Sequence, residues 1–253
     1  MTPPPGRLLL VPNALDLGGE PADLADVLPH GVLRAAAGLR HWVAENAKTT
    51  RSFLKRVDAL VPLQQPLQAL DIRELPRAPK GRAAVPDDDA WRALLAPALG
   101  GEDVGLISEA GLPAVADPGS RLVAAAHALQ VPVLPLAGPS SLLLALAASG
   151  LNGQCFAFVG YLPQDDAARV ARLRELEARS RREAQTQIVI ETPYRNEVLL
   201  QALLAQLAPA TRLAIAHGVT MPAGWCRTRR VAEWRRAAPA LERRLPTVFL
   251  FEA

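Results

Sequence analysis

Short aliphatic runs alternate with stretches of helically spaced apolar residues along nearly the whole chain, the pattern of repeated strand–helix units. The first half predicts strands at 7–11, 31–35, 104–108 and 131–136. Between them it predicts helices at 20–27, at 39–57 in two pieces broken near Asn46, from Asp87 to about Leu99, at 119–129 and at 140–149. Pro21 suits a first helical turn and Gly150 a helix end, while Asp87, Asp88 and Asp89 suit the positive end of a helix dipole. Residues 58–85 carry Pro62, Pro66, Pro76 and Pro79 and are predicted loop. The alternation resumes with strands at 156–161, 186–191, 212–217, 225–228 and 247–252, and helices at 167–183, 196–207 and 231–238. Leu151-Asn152-Gly153-Gln154 is the predicted linker. The expected fold is α/β, with two α/β domains over 1–152 and 153–253.

Composition narrows the class. At 253 residues and 50% apolar the chain can bury two cores, and aromatics at 4% leave aliphatic side chains to fill them. No run reaches the roughly 18 apolar residues of a membrane span. Residues 1–6 lack a cationic start, and Leu8-Leu9-Leu10-Val11 is too short for a signal core. Cys155 and Cys226 stand far apart without CxxC or histidine companions, so neither a metal site nor a disulfide is expected. A cytoplasmic protein without a membrane partner follows. Charge is uneven: residues 1–150 hold 13 Lys+Arg against 15 Asp+Glu, residues 151–253 hold 15 against 10. A net +5 half is compatible with a polyanionic partner. With 25 Arg and only 3 Lys, it is equally compatible with codon bias and solvated helix faces.

Two loops carry the candidate chemistry. One is Ser108-Glu109-Ala110-Gly111-Leu112-Pro113, followed by Asp117-Pro118-Gly119; the other is Ala137-Gly138-Pro139-Ser140-Ser141. Each leaves an apolar run and enters a helical pattern, which exposes backbone groups at the carboxyl edge of a sheet, where open α/β folds bind ligands. Two such loops predict one site for a nucleotide-like cofactor. The common fingerprints are missing: there is no GKS or GKT, and Asn13-Ala14-Leu15-Asp16-Leu17-Gly18 stands where GxGxxG would follow the first strand. An ATP or NAD site of the usual kind is therefore disfavoured. A ligand held by backbone groups remains, with Glu109 placed to meet a hydroxyl or ammonium. Glycines and prolines that merely turn the chain are the competing account.

Glu191-Thr192-Pro193-Tyr194-Arg195 repeats the strand-end logic in the second half. Arg195 in a first helical turn opposes the helix dipole, so it answers either a ligand anion or Glu191. Arg169, Arg172, Arg174, Arg179, Arg181 and Arg182 lie along one helix; Arg227, Arg229, Arg230, Arg235, Arg236, Arg243 and Arg244 gather near the C-terminus. Arginine forks suit phosphate. Glu175 and Glu177 on the same helix make local ion pairs an equal reading. Trp225 and Trp234 either stack bases or fill the core. The four histidines show no metal spacing.

Taken together, Ser108–Pro113 with Asp117-Pro118-Gly119, Pro135-Leu136-Ala137-Gly138-Pro139-Ser140, Gly160-Tyr161-Leu162-Pro163 and Glu191-Thr192-Pro193-Tyr194-Arg195 resemble the tetrapyrrole (corrin/porphyrin) methylase superfamily, and within it the ribosomal RNA small subunit methyltransferase I branch. The resemblance implies a class III methyltransferase fold with a cofactor cleft between two α/β domains, S-adenosylmethionine as cofactor and a homodimer. For that branch it implies methylation of a cytidine ribose 2′-hydroxyl in small-subunit ribosomal RNA. Carried over by position, it puts Pro12, Glu109, Ala110, Gly111, Pro113, Gly138, Pro139, Ser140 and Ser141 at the cofactor, with Glu191 and Pro246 at strand ends facing it. Three departures stand out. Pro12 is followed by Asn13-Ala14 where the family has Pro-x-Gly; Ala44-Glu45-Asn46 only echoes Ala-Glu-Asp-Thr-Arg; Leu245-Pro246-Thr247 stands where Lys-Gly-Glu is usual. The cofactor half matches better than the substrate half, as in a paralogous branch.

Three functions follow. The first is methylation of RNA at a ribose oxygen, a poor nucleophile needing a base or a cation beside the developing alkoxide, with Glu109, Glu191 and Arg195 as candidates. The second is methylation of a small tetrapyrrole-like acid. The third is a cofactor-binding protein without turnover. Arginines dispersed along the surface favour RNA over a closed acid-binding pocket.

Overall fold

The computed structural model describes residues 4–16, 19–76 and 88–253. They form two compact units, Met1–Ala14 with Ala22–Pro139, and Leu15–Pro21 with Ser140–Ala253. In the first, β1 (Leu8–Leu10), β2 (His41–Ala44), β3 (Asp71–Glu74), β4 (Val104–Ile107) and β5 (Val133–Pro135) make one sheet in the order β3-β2-β4-β1-β5. Every pairing is parallel. Such sheets are covered on both faces, and the strands read as continuous apolar runs. On one face α1 (Leu24–Val27), α2 (His30–Gly38) and α3 (Ala47–Asp58) bury Leu24, Leu33 and Phe53 around Trp42. On the other, α4 (Asp88–Leu94), α5 (Ala96–Leu99) and α6 (Ser120–Ala128) bury Leu95 and Leu122 against Val104 and Leu106.

Three expectations fail in this unit. Residues 31–35 are helix, not strand: Val32, Leu33, Ala36 and Ala37 are buried at helical spacing, and the alanines favour that state. The first piece of the expected 39–57 helix is β2, whose Trp42 and Val43 fit a buried strand. The break at Asn46 is real, because its side chain accepts from the backbone N–H groups of Lys48 and Thr49 and starts α3. Strand β3 lies inside the expected loop; its sequence Asp-Ile-Arg-Glu has no apolar run because it is a half-exposed sheet edge. Asp87 of the acidic triplet lies outside the described residues.

The second unit holds β6 (Phe156–Tyr161), β7 (Thr186–Ile190), β8 (Arg212–His217), β9 (Trp225–Arg230) and β10 (Thr247–Glu252), ordered β6-β7-β10-β8-β9. β6 and β7 are parallel; the other pairings are antiparallel. One face takes α7 (Ser141–Ser149), whose Leu142, Ala145 and Leu146 pack with Ile188, Ala214 and Leu250. The opposite face takes α8 (Asp166–Glu183), α9 (Asn196–Gln206) and α10 (Val231–Arg236), packed through Leu173, Leu200 and Trp234 onto Leu213, Phe249 and Phe251. Helix α7 precedes the expected linker, yet its apolar face belongs to this second core.

Candidate functional site

An all-parallel sheet delivers every strand's carboxyl end to one edge. Because β1 lies between β4 and β5, the loops after these three strands are neighbours there. Contacts tie them together. Asn13 and Gly111 exchange backbone hydrogen bonds, Asn13 N to Gly111 O at 2.9 Å and Gly111 N to Asn13 O at 3.2 Å. The Asn13 side chain donates from Nδ2 to the carbonyls of Glu109 at 3.0 Å and Ser108 at 3.3 Å. Gly138 sits so tightly on Pro12 that a Cβ there would lie 2.2 Å from the proline Cβ. The structure thus brings together Pro12, Glu109, Ala110, Gly111 and Gly138, with Pro113 and Pro139 in the same loops. The loop after β4 is unusually shaped: Gly111, Ala114, Ala116 and Gly119 all have positive φ. Two alanines in that region mark backbone conformation held by its surroundings, a frequent sign of a functional loop.

Two carboxylates that the sequence reading passed over join Glu109 here. Glu45 follows β2, next to β4 in the sheet, and accepts from the Glu109 backbone N–H at 3.2 Å. Asp117 lies beyond Ser108 in the same loop. Burial, then the charge of Glu45 and that of Glu109, push its carboxyl up to about 6, against the opposing hydrogen bond from Ser108. The signal for Glu45 was the faint Ala44-Glu45-Asn46 echo, hidden because that segment was read as helix rather than strand end. No group of three or more His, Cys, Asp or Glu among the described residues is placed to hold a metal ion.

In the second unit the matching edge is assembled from the carboxyl ends of β7 and β8 and the amino end of β10, since Ile190 pairs with Val248 and His217 with Thr247. Glu191 and Pro246 both lie on it, Pro246 accepting from Gly218 N at 2.9 Å. Glu191 is bonded by its neighbours: Arg195 Nε donates at 3.1 Å, Thr192 N at 2.8 Å and Thr192 Oγ1 at 3.2 Å. Of the two readings of Arg195, the ion pair with Glu191 is the one present. Ser140 and Ser141 open α7 of this unit. A polar chain unseen in the sequence backs the edge. Asn196 Nδ2 donates to Leu245 O and Thr247 Oγ1, and His217 Nε2 accepts from Glu242 N, leaving Nδ1 to donate to Thr247. Burial holds His217 below its ordinary pKa, against the raising charge of Glu242.

The arginines divide. On α8, Arg169 is buried and bound to Asp166, Arg172 and Arg179 both meet Glu175, and Arg182 meets Glu183. Trp234 fills the core, 1% exposed, with its Nε1 donating to Leu213 O at 2.8 Å; Trp225 is partly buried. A cleft of about 380 Å³ opens at the amino edge of the first sheet, lined by Arg7, Arg34, Arg40, Gln64, Glu102 and Asp103 among others; none of the expected site residues lines it. No helix among the described residues is long and apolar enough to cross a membrane.

Comparison with known proteins supplies the remaining findings. Residues 33–230 match the family model Tetrapyrrole (Corrin/Porphyrin) Methylases. The chain is 36% identical over 215 residues to a protein of Micromonospora olivasterospora named Ribosomal RNA small subunit methyltransferase I, covering 85% of this chain and 60% of that protein. It is 32% identical to a protein of the same name from Xylella fastidiosa, covering 83% of this chain and 67% of that one. The match with a third, from Mesorhizobium japonicum, is 40% identical but spans only 52% of this chain and 44% of the relative. In fold the chain is similar to the methyltransferase CobJ, at TM-score 0.58 and 18% identity, covering 98% of this chain and 94% of that one. It is also similar to the uroporphyrin-III C-methyltransferase of Thermus thermophilus complexed with S-adenosylhomocysteine, at TM-score 0.52 and 17% identity, covering 98% and 97%.

Proposed function

The chain belongs to the tetrapyrrole (corrin/porphyrin) methylases, and from that premise we propose that it transfers a methyl group from S-adenosylmethionine to RNA, with a ribose 2′-hydroxyl of small-subunit ribosomal RNA as acceptor. The observation that carries this reading is the gathering of three loops at one sheet edge, Gly111 paired with Asn13 and Gly138 closed on Pro12. The donor set fits the cofactor's charge. Carbonyls and carboxylates dominate, and the crowding that lifts Asp117 to about 6 is relieved by a bound cation. S-adenosylmethionine carries both a sulfonium and an ammonium. Pro12, Glu109, Ala110, Gly111, Pro113, Gly138 and Pro139 are its proposed contacts, with Ser140, Ser141 and Pro246 as further candidates.

Bound S-adenosylmethionine supplies a methyl group already activated on sulfur. The protein's work is then alignment of the hydroxyl with the methyl carbon and removal of its proton. Held there, the cofactor would give up its methyl group to the oxygen and leave as S-adenosylhomocysteine, and a carboxylate of this edge would take the hydroxyl proton. Glu109 and Asp117 stand at the proposed cofactor edge for that role. Glu191 is held by Arg195 and Thr192, so this pair orients substrate rather than accepts the proton. The names of the relatives support RNA as acceptor. A cytoplasmic homodimer belongs to the same proposal, and sedimentation of the purified chain reads its assembly.

Incubation of the purified chain with methyl-labelled S-adenosylmethionine and cell extract tests the reading. Label in the RNA fraction, released as a 2′-O-methylnucleoside, is expected. Label confined to small acidic molecules would move the acceptor to the tetrapyrrole-like class, and label nowhere would overturn methyl transfer.

A further inference from the structure

The positive surplus of the second half has one location. Residues 225–244 hold seven arginines against Glu233 and Glu242, which equals the whole +5 excess of residues 151–253. The arginines of α8 are largely engaged by Asp166, Glu175 and Glu183. Elsewhere, Arg212 pairs with Glu252, and Arg235 donates to the carbonyls of Leu204 and Leu207 at the end of α9. Arg227 and Arg229 differ from all of these. Both are exposed on β9, the outermost strand of its sheet, and neither makes an ion pair among the described residues. Each lies instead over an indole: the Arg227 Cζ is 5.2 Å from the Trp225 ring centroid, the Arg229 Cζ 4.9 Å from that of Trp234.

Stacking matters for what these side chains can bind. A ring fixes one face of a guanidinium and lowers the entropy lost on binding, while the five N–H donors around its rim stay available to an anion. Trp234 is itself fixed by its bond to Leu213, the residue paired with Arg229 across the strands. Arg227 and Arg229 alternate at strand spacing, so they share a side of β9 about 7 Å apart. Beyond the amino end of β9 the stripe continues. Trp225 lies against His217, which Glu242 contacts through its backbone N–H, and the exposed Arg243 and Arg244 follow at once. Two residues later comes Pro246, on the strand-end edge.

We propose that β9 is the docking track for the RNA backbone, with Arg227 and Arg229 as its phosphate contacts and Arg243 and Arg244 leading the strand toward the edge that carries Pro246 and Glu191. The inference rests on the RNA reading above and names the surface that serves it. Charge complementarity selects the occupant: an extended polyanion matches a row of spaced, carboxylate-free guanidiniums better than any compact acid does.

Fluorescence anisotropy of the full chain with a labelled single-stranded RNA 20-mer, titrated between 50 and 200 mM salt, provides the test. R227Q/R229Q is expected to weaken binding about tenfold and to flatten the slope of log affinity against log salt by about 1.4, the loss of two phosphate contacts to a single strand. R172Q/R179Q on α8 is expected to change affinity less than twofold. Thermal unfolding and S-adenosylhomocysteine binding by calorimetry check that both variants are folded. Wild-type binding that survives R227Q/R229Q unchanged overturns the docking track and leaves the RNA reading standing. A wild-type chain with no RNA affinity at any salt overturns both. Loss of solubility without loss of RNA affinity also overturns it, because the arginines would then serve only to keep an open strand edge from pairing with another chain.

Discussion

The two units build a strand-end edge by different means. The first sheet is wholly parallel, so each strand's carboxyl end arrives at the same edge and each loop there can be spent on ligand. The second is mostly antiparallel, and its edge mixes the carboxyl ends of β6, β7 and β8 with the amino ends of β9 and β10. The side chains differ accordingly. At the first edge, backbone carbonyls, glycines and carboxylates are crowded together, and burial holds Asp117 toward protonation. At the second, the polar groups are answered internally, Glu191 by Arg195 and Thr192, and a neutral His217 by Thr247 and the backbone N–H of Glu242.

The sharpest way to break this contrast is Gly138→Ala. The new methyl would lie 2.2 Å from Pro12 Cβ and 2.4 Å from its Cγ, so two loops must separate. A stability loss of about 3 kcal/mol in urea titration is expected, the upper end for overpacking. Calorimetric binding of S-adenosylhomocysteine should vanish. Gly31→Ala in α2 is the control: nothing lies within 4 Å of its added Cβ, and alanine should stabilise the helix by about 0.5–1 kcal/mol. A Gly138→Ala protein that binds the cofactor product normally would detach the loops from the site.

Asn13→Ala comes next. It removes both side-chain donations to the Ser108 and Glu109 carbonyls and leaves those groups unmet in a buried place. A loss of about 2 kcal/mol is expected, with weakened S-adenosylhomocysteine binding. Arg195→Gln tests the other edge. The pair is only partly buried, its side chains 22% and 10% exposed, so about 1 kcal/mol is expected. Cofactor-product affinity should hold while methyl transfer falls. Collapse of that affinity in Arg195→Gln would erase the distinction between the two edges.

How much of this could be read from the residues follows from the same contrast. The loops after β4 and β5 announce themselves because a parallel strand turning sharply into a helix draws on glycine and proline, and such residues are visible one at a time. Asn13 looked like a departure from Pro-x-Gly; its amide braces the next loop only in the folded chain, since a bond across 96 residues has no local signature. Glu45 was obscured by a wrong period, helix for strand, over a segment too short for either pattern to dominate. The second edge was legible in part: Arg195 lies four residues from Glu191 and their ion pair was one of its two readings, whereas the partners of His217 depend on strand order. The arginines read as two clusters with ion pairs open on the first, and only the observed pairing shows those on α8 neutralised and Arg227 and Arg229 on β9 stacked on indoles.

The last expected effect lies in the pH dependence of Asp117, and it tests the first edge by its charge alone. Burial and the neighbouring charges of Glu45 and Glu109 raise this carboxyl to about 6 in the folded chain, while the hydrogen bond from Ser108 opposes them. An unfolded aspartate titrates near 3.9. The folded state therefore binds this proton more tightly than the unfolded state does. The stability this contributes is complete below about pH 4 and is lost as pH rises through about 6. Asp117→Asn removes the titration, so its stability relative to wild type should climb across that window and level off above it, read as the difference in melting temperature at successive pH values. A cation in the site reverses the preference, because it favours the ionised carboxylate. Binding of S-adenosylmethionine near pH 6 should then release a proton, detected as a dependence of the calorimetric enthalpy on buffer ionisation and absent in Asp117→Asn. A wild-type melting curve parallel to that of Asp117→Asn throughout would mean that the carboxylates at the first edge are as well answered as those at the second.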